Sequence, residues 1–285
     1  PSGSDSRLTT VFVNPAILDK GNRVELTEKE KNLLSEARRL YAASVEKHNE
    51  AISAQFTEAY QYQTTPLSAG VMNQDYLEAC TGFLNSVRAG AGLPLLTHDP
   101  VLSEGAQHKA VLTAYLSQAG ISNPDPHFPP QPEGVSDAFY AKAQLGGGEN
   151  LYYTSFLGGN NVIGSIANAL QEAYGDIIAC GHRYNLLDPN WTSVGFGSCE
   201  GQGVHKLRGY QAWDGDIVAW PPEGIMLVDA VTTSCRWTAK SVSDRYQFPS
   251  DCTVVVENLN TGAKWEFTDE NASDYEFYRL SGQVT

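Results

Sequence analysis

The first periodic pattern lies in the N-terminal part of the chain, where apolar residues recur every three or four positions. The stripe begins at Leu33, and the residues Thr27 to Glu30 ahead of it form the pattern of a helix capping box. This spacing predicts a long amphipathic helix over about residues 27–60, with a short strand in TTVFV before it. We expect the stripe to dock on the chain's own domain, with a helical dimer interface as the alternative. His48 falls on the stripe, so we interpret it as a packed histidine.

Helical patterns continue in the middle of the chain. Residues 75–91 place apolar side chains at helical spacing, and Asp99-Pro100 supplies the acidic cap and the proline of a second helix start. A short helix is expected near 134–144 and another over 162–174. The stretches TSVGFGSCE and HKLRGYQAW have the composition of strands.

The last part of the chain is rich in strand-like segments. These are DIVAW, GIMLVDAV, SCRWTAKSV, CTVVVENLNTGAKWEF and YEFYRL. Within the fourth, NLNTGAKW is a hairpin signal in which Gly262 is available for a positive φ. We therefore divide the chain into an N-terminal strand and helix (1–70), a central domain (71–218) and a C-terminal β-rich module (219–285), with Trp220 near the seam.

Composition narrows the class of protein. The 285 residues are 41% hydrophobic and carry a formal net charge of −14, which indicates a globular chain with an acidic surface. Such a surface repels phosphate backbones, so we expect no nucleic-acid partner. There is no apolar run of about 18 residues that would predict a transmembrane helix. The chain opens with PSGSDSR, and we expect that a signal peptide has been removed.

The five cysteines do not form a CxxC motif, which argues against a zinc knuckle or a thioredoxin-like site. Cys80 lies on an apolar helical stripe and is predicted to be buried. Cys235 and Cys252 are candidates for a small disulfide loop. The pairing of the cysteines stays open at this point, as does the oligomeric state.

The stretch GGGENLYYTSF combines a glycine run with a single acid, Glu149, and an aromatic segment. Around it stand FLNSVRAGAGLPLLTHDPVLSEGAQHKAVLTAYL, then GENL, then GHRYNLLDPNWTSVGFG. Together these motifs resemble the CAP superfamily, which includes cysteine-rich secretory, antigen 5 and pathogenesis-related proteins. Their order is similar to that of bacterial SCP-like extracellular proteins, and AWPPEG at 219–224 resembles the tail of Gram-positive secreted members. The resemblance implies an α+β fold, a three-layer α-β-α sandwich with a cleft on one side.

The resemblance also implies a set of cleft residues. His182 matches the histidine of the GH motif, Glu149 matches the glutamate of GEN, and His127, in a proline-rich loop, stands where the first cleft histidine is expected. Glu172 lies ten residues before His182 and is a candidate for the second acid. Asp176 is the competing candidate.

The function that follows is a secreted binding module with a cleft lined by His and Glu. Two imidazoles and two carboxylates are ligands that zinc accepts, so His127, His182 and Glu149 are candidate metal ligands, with zinc as the favoured divalent ion. An alternative is that Glu149 and His182 pair with each other. Tyr152 is a candidate for the cleft rim, and the ligand is an apolar molecule, a carbohydrate or a protein.

Two other functions stay open. One is a metal-assisted, protease-like hydrolase that uses the same cleft, and the other is a structural protein of the cell surface. No GxSxG or HExxH motif occurs, and Cys180 lies too close to His182 in sequence to form a nucleophile–base pair with it. We therefore assign no catalytic residue, and we expect the protein outside the cell or at its surface.

Overall fold

The structure of the protein is a computed structural model. It describes residues 26–51, 54–153, 162–172, 180–222, 236–242, 253–257, 261–268, 270, 279–280 and 283–284.

The described chain alternates helices with short strands. The helices are α1 (Glu28–Ala51), α2 (Gln74–Gly90), α3 (Pro100–Gln118), α4 (Asp137–Ala143), α5 (Val162–Gln171) and α6 (Gly181–Leu187). The strands up to the end of the central domain are β1 (Phe56–Glu58), β2 (Val71–Met72), β3 (Thr97–His98), β4 (Gly148–Tyr153), β5 (Ser193–Cys199) and β6 (Gln202–Arg208). The C-terminal strands are β7 (Ile217–Trp220), β8 (Thr238–Ser241), β9 (Val254–Glu257), β10 (Lys264–Phe267), β11 (Arg279–Leu280) and β12 (Gln283–Val284).

A four-stranded sheet in the order β3-β5-β6-β4 forms the middle layer of the central domain. Strands β5 and β6 form an antiparallel hairpin, β4 pairs antiparallel with β6, and β3 pairs parallel with β5. Strand β4 therefore lies at one edge of this sheet. Because successive side chains of a strand point to opposite faces, β4 contributes side chains to both sides of the domain.

Helices cover both faces of this sheet. Helices α3 and α4 pack on one face around a core that includes Ala106, Ala110 and Val204. On the other face α2, α5 and α6 enclose a second core that includes Phe196 and Leu207. The predicted α+β fold, an α-β-α sandwich, is confirmed.

Two glycines in β5 set how closely α3 approaches the sheet. A Cβ added at Gly195 would lie 2.3 Å from the backbone nitrogen of Ser103, and one added at Gly197 would lie 2.3 Å from the carbonyl carbon of Ala106. Only glycine fits where backbone meets backbone at this distance. Helix α3 begins as predicted, with Asp99 as its cap and Pro100 in its first turn.

The N-terminal helix is shorter than predicted. The capping box is confirmed, since the Thr27 amide donates to the Glu30 carboxylate and the Glu30 amide donates to the Thr27 hydroxyl. The helix ends at Ala51, however, and residues 56–58 form β1, which pairs with β2. Phe56, which lies beyond the helix, belongs to that strand and pairs with Met72, so helical spacing alone overestimated the length of the helix. His48 is buried against Tyr76, as expected for a packed histidine.

The C-terminal part contains a second four-stranded sheet, in the order β11-β12-β8-β7, and the hairpin β9–β10. Gly262 in that hairpin has a φ of 72°, as its turn signal predicts. Trp220 is buried, and the Arg183 guanidinium lies 5.6 Å from the centre of its ring. Cys80 is fully buried as predicted, and it carries a free thiol.

Several predicted features lie outside the described residues. They are the strand in TTVFV, the segment GIMLVDAV, Asp176, and the cysteines Cys235 and Cys252.

Candidate functional site

Edge strand β4 begins at Gly148, the last residue of the glycine run, and the glycines allow it to pack closely against its neighbours. Gly146 has a φ of 126°, in the region that glycine adopts more readily than any other residue. A Cβ added at Gly148 would lie 2.9 Å from the Trp191 ring and 3.1 Å from the Asn185 side-chain oxygen. The glycine run therefore brings the backbone of β4 against these side chains, immediately before Glu149.

The side chains of β4 alternate between the two faces of the sheet. Glu149 pairs with Lys206 of β6 and lies on the α3 face, and Leu151 packs into the core on that face. Asn150 pairs with His205, and Tyr152 packs against the core on the opposite face. The candidate residues thus form two groups, one on each face of the same edge strand.

The group on the α3 face is built around Glu149. Its Oε1 lies 3.0 Å from Nδ1 of His127 and 3.6 Å from Nζ of Lys109, which α3 supplies. Its Oε2 accepts a hydrogen bond of 2.6 Å from Nζ of Lys206. Lys109 also donates to the His127 carbonyl at 2.6 Å, so the same lysine holds the backbone and the acid partner of His127.

The two lysines are residues that sequence reasoning missed. Their side chains are 0% and 2% exposed, whereas the His127 side chain is 42% exposed. Burial lowers the pKa of Lys109, and the nearby Glu149 opposes this effect. The alternation of side chains along the strand HKLRGY could have indicated that Lys206 is buried, because it places this lysine on the face of the sheet that α3 covers. Lys109 gave no comparable signal, since its role depends on the loop that carries His127.

The group on the opposite face is built around Glu172. Its Oε1 lies 2.9 Å from Nδ1 of His182 and accepts the His182 amide, and its Oε2 accepts the Arg183 amide. Glu172 follows the last residue of α5 with a φ of 39°, and Cys180 precedes α6 with a φ of 47°. Both values are unusual for residues with a Cβ, and such strain persists where the surroundings enforce it.

Both histidines therefore have the same arrangement. A carboxylate only accepts hydrogen bonds, so Nδ1 of each ring carries the proton that is donated to Glu149 or Glu172. In the neutral ring the lone pair is then on Nε2, which points away from the carboxylate. Each glutamate thus orients its histidine and leaves Nε2 available for an incoming group.

The backbone of His182 is fixed to β4 by two asparagines. Asn150 donates to the His182 carbonyl at 2.9 Å, and Asn185 donates to the Asn150 side-chain oxygen at 2.9 Å and to the Glu149 carbonyl at 3.2 Å. The Tyr152 ring contacts the His182 ring edge-on, with 5.5 Å between the centroids. The GEN and GH motifs are therefore connected through Asn150, whereas Glu149 and His182 each pair with a different partner.

A third histidine, His205, lies behind this face of β4. It is fully buried, and its Nε2 lies 2.8 Å from the Ser165 hydroxyl, which donates to the Val162 carbonyl. Since that hydroxyl has a single proton, Nε2 of His205 is the donor and Nδ1 holds the lone pair. Burial, reinforced by the charge of His182, lowers the pKa of His205 to about 3.

The carboxylates differ from what a zinc site requires. Zinc in catalytic sites takes three protein ligands and an open position. Here the oxygens of Glu149 receive lysine ammonium groups, and those of Glu172 receive backbone amides. Within the part of the chain that the structure describes, no group of three or more His, Cys, Asp or Glu side chains is placed to hold a metal ion. As placed, these residues do not fit a three-ligand metal site, and zinc binding stays a prediction.

Comparison with known proteins agrees with the motifs. Residues 81–210 match the model of the Cysteine-rich secretory protein family, CAP. A solved structure of an extracellular protein containing an SCP domain, from Bacillus anthracis str. Ames, is 18% identical, with a TM-score of 0.30. The match covers 48% of this chain and 44% of that one, so the chain spans less than half the length of this relative. No curated protein matches the chain.

Among the described helices, none is long and apolar enough to cross a membrane. The family match covers the segment from within α2 to just beyond β6, and it includes Glu149, Glu172 and both site histidines. Residues 81–210 of the chain are therefore identified as a CAP domain.

Proposed function

We propose that this protein is an extracellular binding module whose ligand binds along the edge of β4, between His127 and His182. The main support is the pair of histidine–glutamate contacts. Each carboxylate accepts a hydrogen bond from Nδ1 of its histidine and leaves Nε2 for the ligand. The His127 and His182 side chains are 42% and 22% exposed, so both rings are accessible from solvent.

The surroundings of these rings support binding rather than a purely structural role. Burying a charged carboxylate costs free energy unless donors compensate it, and both glutamates receive several donors. Donors thus stabilise both carboxylates, and in each case one partner of the carboxylate is a partly exposed histidine. Tyr152 adds an aromatic contact beside His182, which suits an apolar or sugar ligand.

The test is saturation-transfer NMR with a defined panel of fatty acids, oligosaccharides, amino acids and phosphate esters. We expect at least one class to bind the wild-type protein and to lose its signal in the His127→Ala and His182→Ala variants. His48→Ala is the control, because this buried histidine lies in the α1–α2 interface. The proposal is wrong if no class binds, or if binding persists in both site variants at wild-type strength.

The hydrolase alternative is checked separately. Release of labelled peptides or glycans by the wild-type protein, and its loss in Glu149→Gln, would support it. The Ser103 hydroxyl lies 2.8 Å from Nε2 of His98, but it offers no nucleophile for this reaction, because Ser103 is buried in the core and accepts the Phe196 amide.

A further inference from the structure

The buried neighbours of the Glu149 carboxylate are cations that the chain itself supplies. Lys206 of β6 lies directly across from Glu149 in the strand register, and its Nζ donates to Oε2 at 2.6 Å. Lys109 of α3 approaches the other oxygen, with 3.6 Å between its Nζ and Oε1. The Lys109 and Lys206 side chains are 0% and 2% exposed, so both ammonium groups lie inside the protein.

Main-chain carbonyl groups hold both ammonium groups in place. Lys206 donates to the Ala143 carbonyl at 3.1 Å, and Lys109 donates to the His127 carbonyl at 2.6 Å. The glycine run packs against one of the lysine stems, because a Cβ added at Gly146 would lie 3.2 Å from Cδ of Lys206. Moving either ammonium group away from the carboxylate would break these hydrogen bonds as well, and a buried charge without its partner is costly.

A divalent cation bound to Glu149 would have to share this space. Zinc lies about 2.0–2.2 Å from a carboxylate oxygen that binds it. An ion at that distance from Oε2 would lie within about 5 Å of Nζ of Lys206, because the same oxygen is 2.6 Å from that nitrogen. An ion on Oε1 would likewise lie within about 6 Å of Nζ of Lys109. Charges of the same sign repel strongly at such distances where water is excluded.

We propose that Lys206, supported by Lys109, takes the place of a divalent cation at Glu149, so that this carboxylate binds no metal ion. Two ammonium groups already face its single negative charge, and His127 pairs directly with Oε1. The zinc expected at Glu149 is therefore replaced by the chain's own cations. Ligand binding along β4 does not depend on this replacement, so the two proposals are tested separately.

The experiment is a calorimetric titration of zinc chloride into the full chain, purified without a histidine tag, at a pH near 7.5 where free histidine rings are neutral. Lys206→Met removes one ammonium group and keeps an apolar stem. We expect this variant to bind zinc at least about tenfold more tightly than the wild-type protein, because Oε2 of Glu149 loses its cation. The added affinity should disappear in the double variant Lys206→Met/Glu149→Gln, which has no carboxylate at this position.

Lys142→Met is the matched control. It also removes one positive charge, but Lys142 is an exposed lysine of α4 that pairs with Glu104. Its zinc affinity is expected to stay within about twofold of wild type, since water and salt screen an exposed charge. If Lys206→Met does not fold, Lys109→Met replaces it, and zinc affinity is expected to rise for the same reason, because the ammonium group beside Oε1 is lost.

Stoichiometric zinc binding by the wild-type protein that Glu149→Gln abolishes would overturn the proposal, because the carboxylate would then hold the ion despite both lysines. So would a Lys206→Met variant that binds zinc no more tightly than Lys142→Met, or one whose added affinity survives Glu149→Gln. Failure of the proposed function looks different. A ligand panel in which no compound requires His127 or His182 would reject the binding module and leave the replacement of the metal ion by lysine intact.

Discussion

At the scale of single residues, His205 shows how burial in the fold keeps an ionisable side chain uncharged. It is buried beside Phe196, bonded to Ser165, and kept neutral to a pH far below the ordinary histidine range. In the unfolded chain its pKa returns to about 6.5. Between pH 6.5 and about 3 the unfolded chain therefore binds a proton that the folded chain excludes, so stability falls as the pH falls through this window.

This leads to a prediction for His205→Phe. Between pH 7.5 and pH 5, the free energy of unfolding of the wild-type protein should fall by about 2 kcal/mol more than that of the variant, since one pKa unit corresponds to about 1.4 kcal/mol. Urea unfolding at both pH values measures the difference. Equal pH dependence in the two proteins would show that His205 is not held neutral.

Single residues were also where the sequence was least informative. The family motifs pointed to Glu149 and His182, and the structure places each of them beside a charged or ionisable partner. Lys109 was not predicted, because its contact with Glu149 depends on how α3 lies across the sheet. Helical spacing indicates which face of a helix is buried, but it does not indicate which side chain of the sheet a given residue contacts there.

At the scale of elements, the fit of α3 against β5 determines the central domain. The motif GFG predicted a strand, and its glycines are where the helix backbone lies against the sheet. By contrast, the predicted extension of α1 to about residue 60 was wrong, because residues 56–58 form β1, and Phe56 suits a strand when β2 is available to pair with it. Local pattern thus identified these elements better than it identified their ends.

Gly197→Ala tests the packing of α3. The added methyl group would meet the Ala106 backbone at 2.3 Å, so α3 must shift, and we expect a loss of about 3 kcal/mol or more in the free energy of unfolding. Gly181→Ala is the control, because a Cβ there meets nothing within 4 Å, and its effect should stay within about 0.5 kcal/mol. Equal effects of both substitutions in urea unfolding would contradict the close approach.

At the scale of the whole molecule, Arg183 connects the CAP domain to the C-terminal strands. Its guanidinium donates to the carbonyls of Leu170 and Gln171 on one side, and to the Arg236 carbonyl and the Thr238 hydroxyl on the other. The residue directly follows His182, so the site and the second sheet share one short segment. Sequence predicted a seam near Trp220, and it did not identify the arginine that packs on this ring.

Arg183→Met should therefore loosen the second sheet. The substitution leaves buried carbonyl oxygens without a donor, and we expect a loss of more than about 2 kcal/mol. Hydrogen exchange should accelerate in β8 more than in β5 and β6. Arg39→Met, an exposed arginine paired with Glu36 on α1, should change neither measurement. Unchanged exchange in β8 would show that Arg183 does not hold the two parts together.

The tautomers of His127 and His182 are the most direct test of a ligand site built on the two histidine–glutamate contacts. Long-range ¹H–¹⁵N correlation spectra of the imidazole rings, recorded at a pH where the rings are neutral, report which nitrogen carries the proton. The contacts with Glu149 and Glu172 predict Nδ1–H for His127 and His182, whereas His205 should show Nε2–H and serves as the internal reference. Finding Nε2–H in both His127 and His182 would contradict the proposed site, because the nitrogen proposed to face the ligand would then carry the proton.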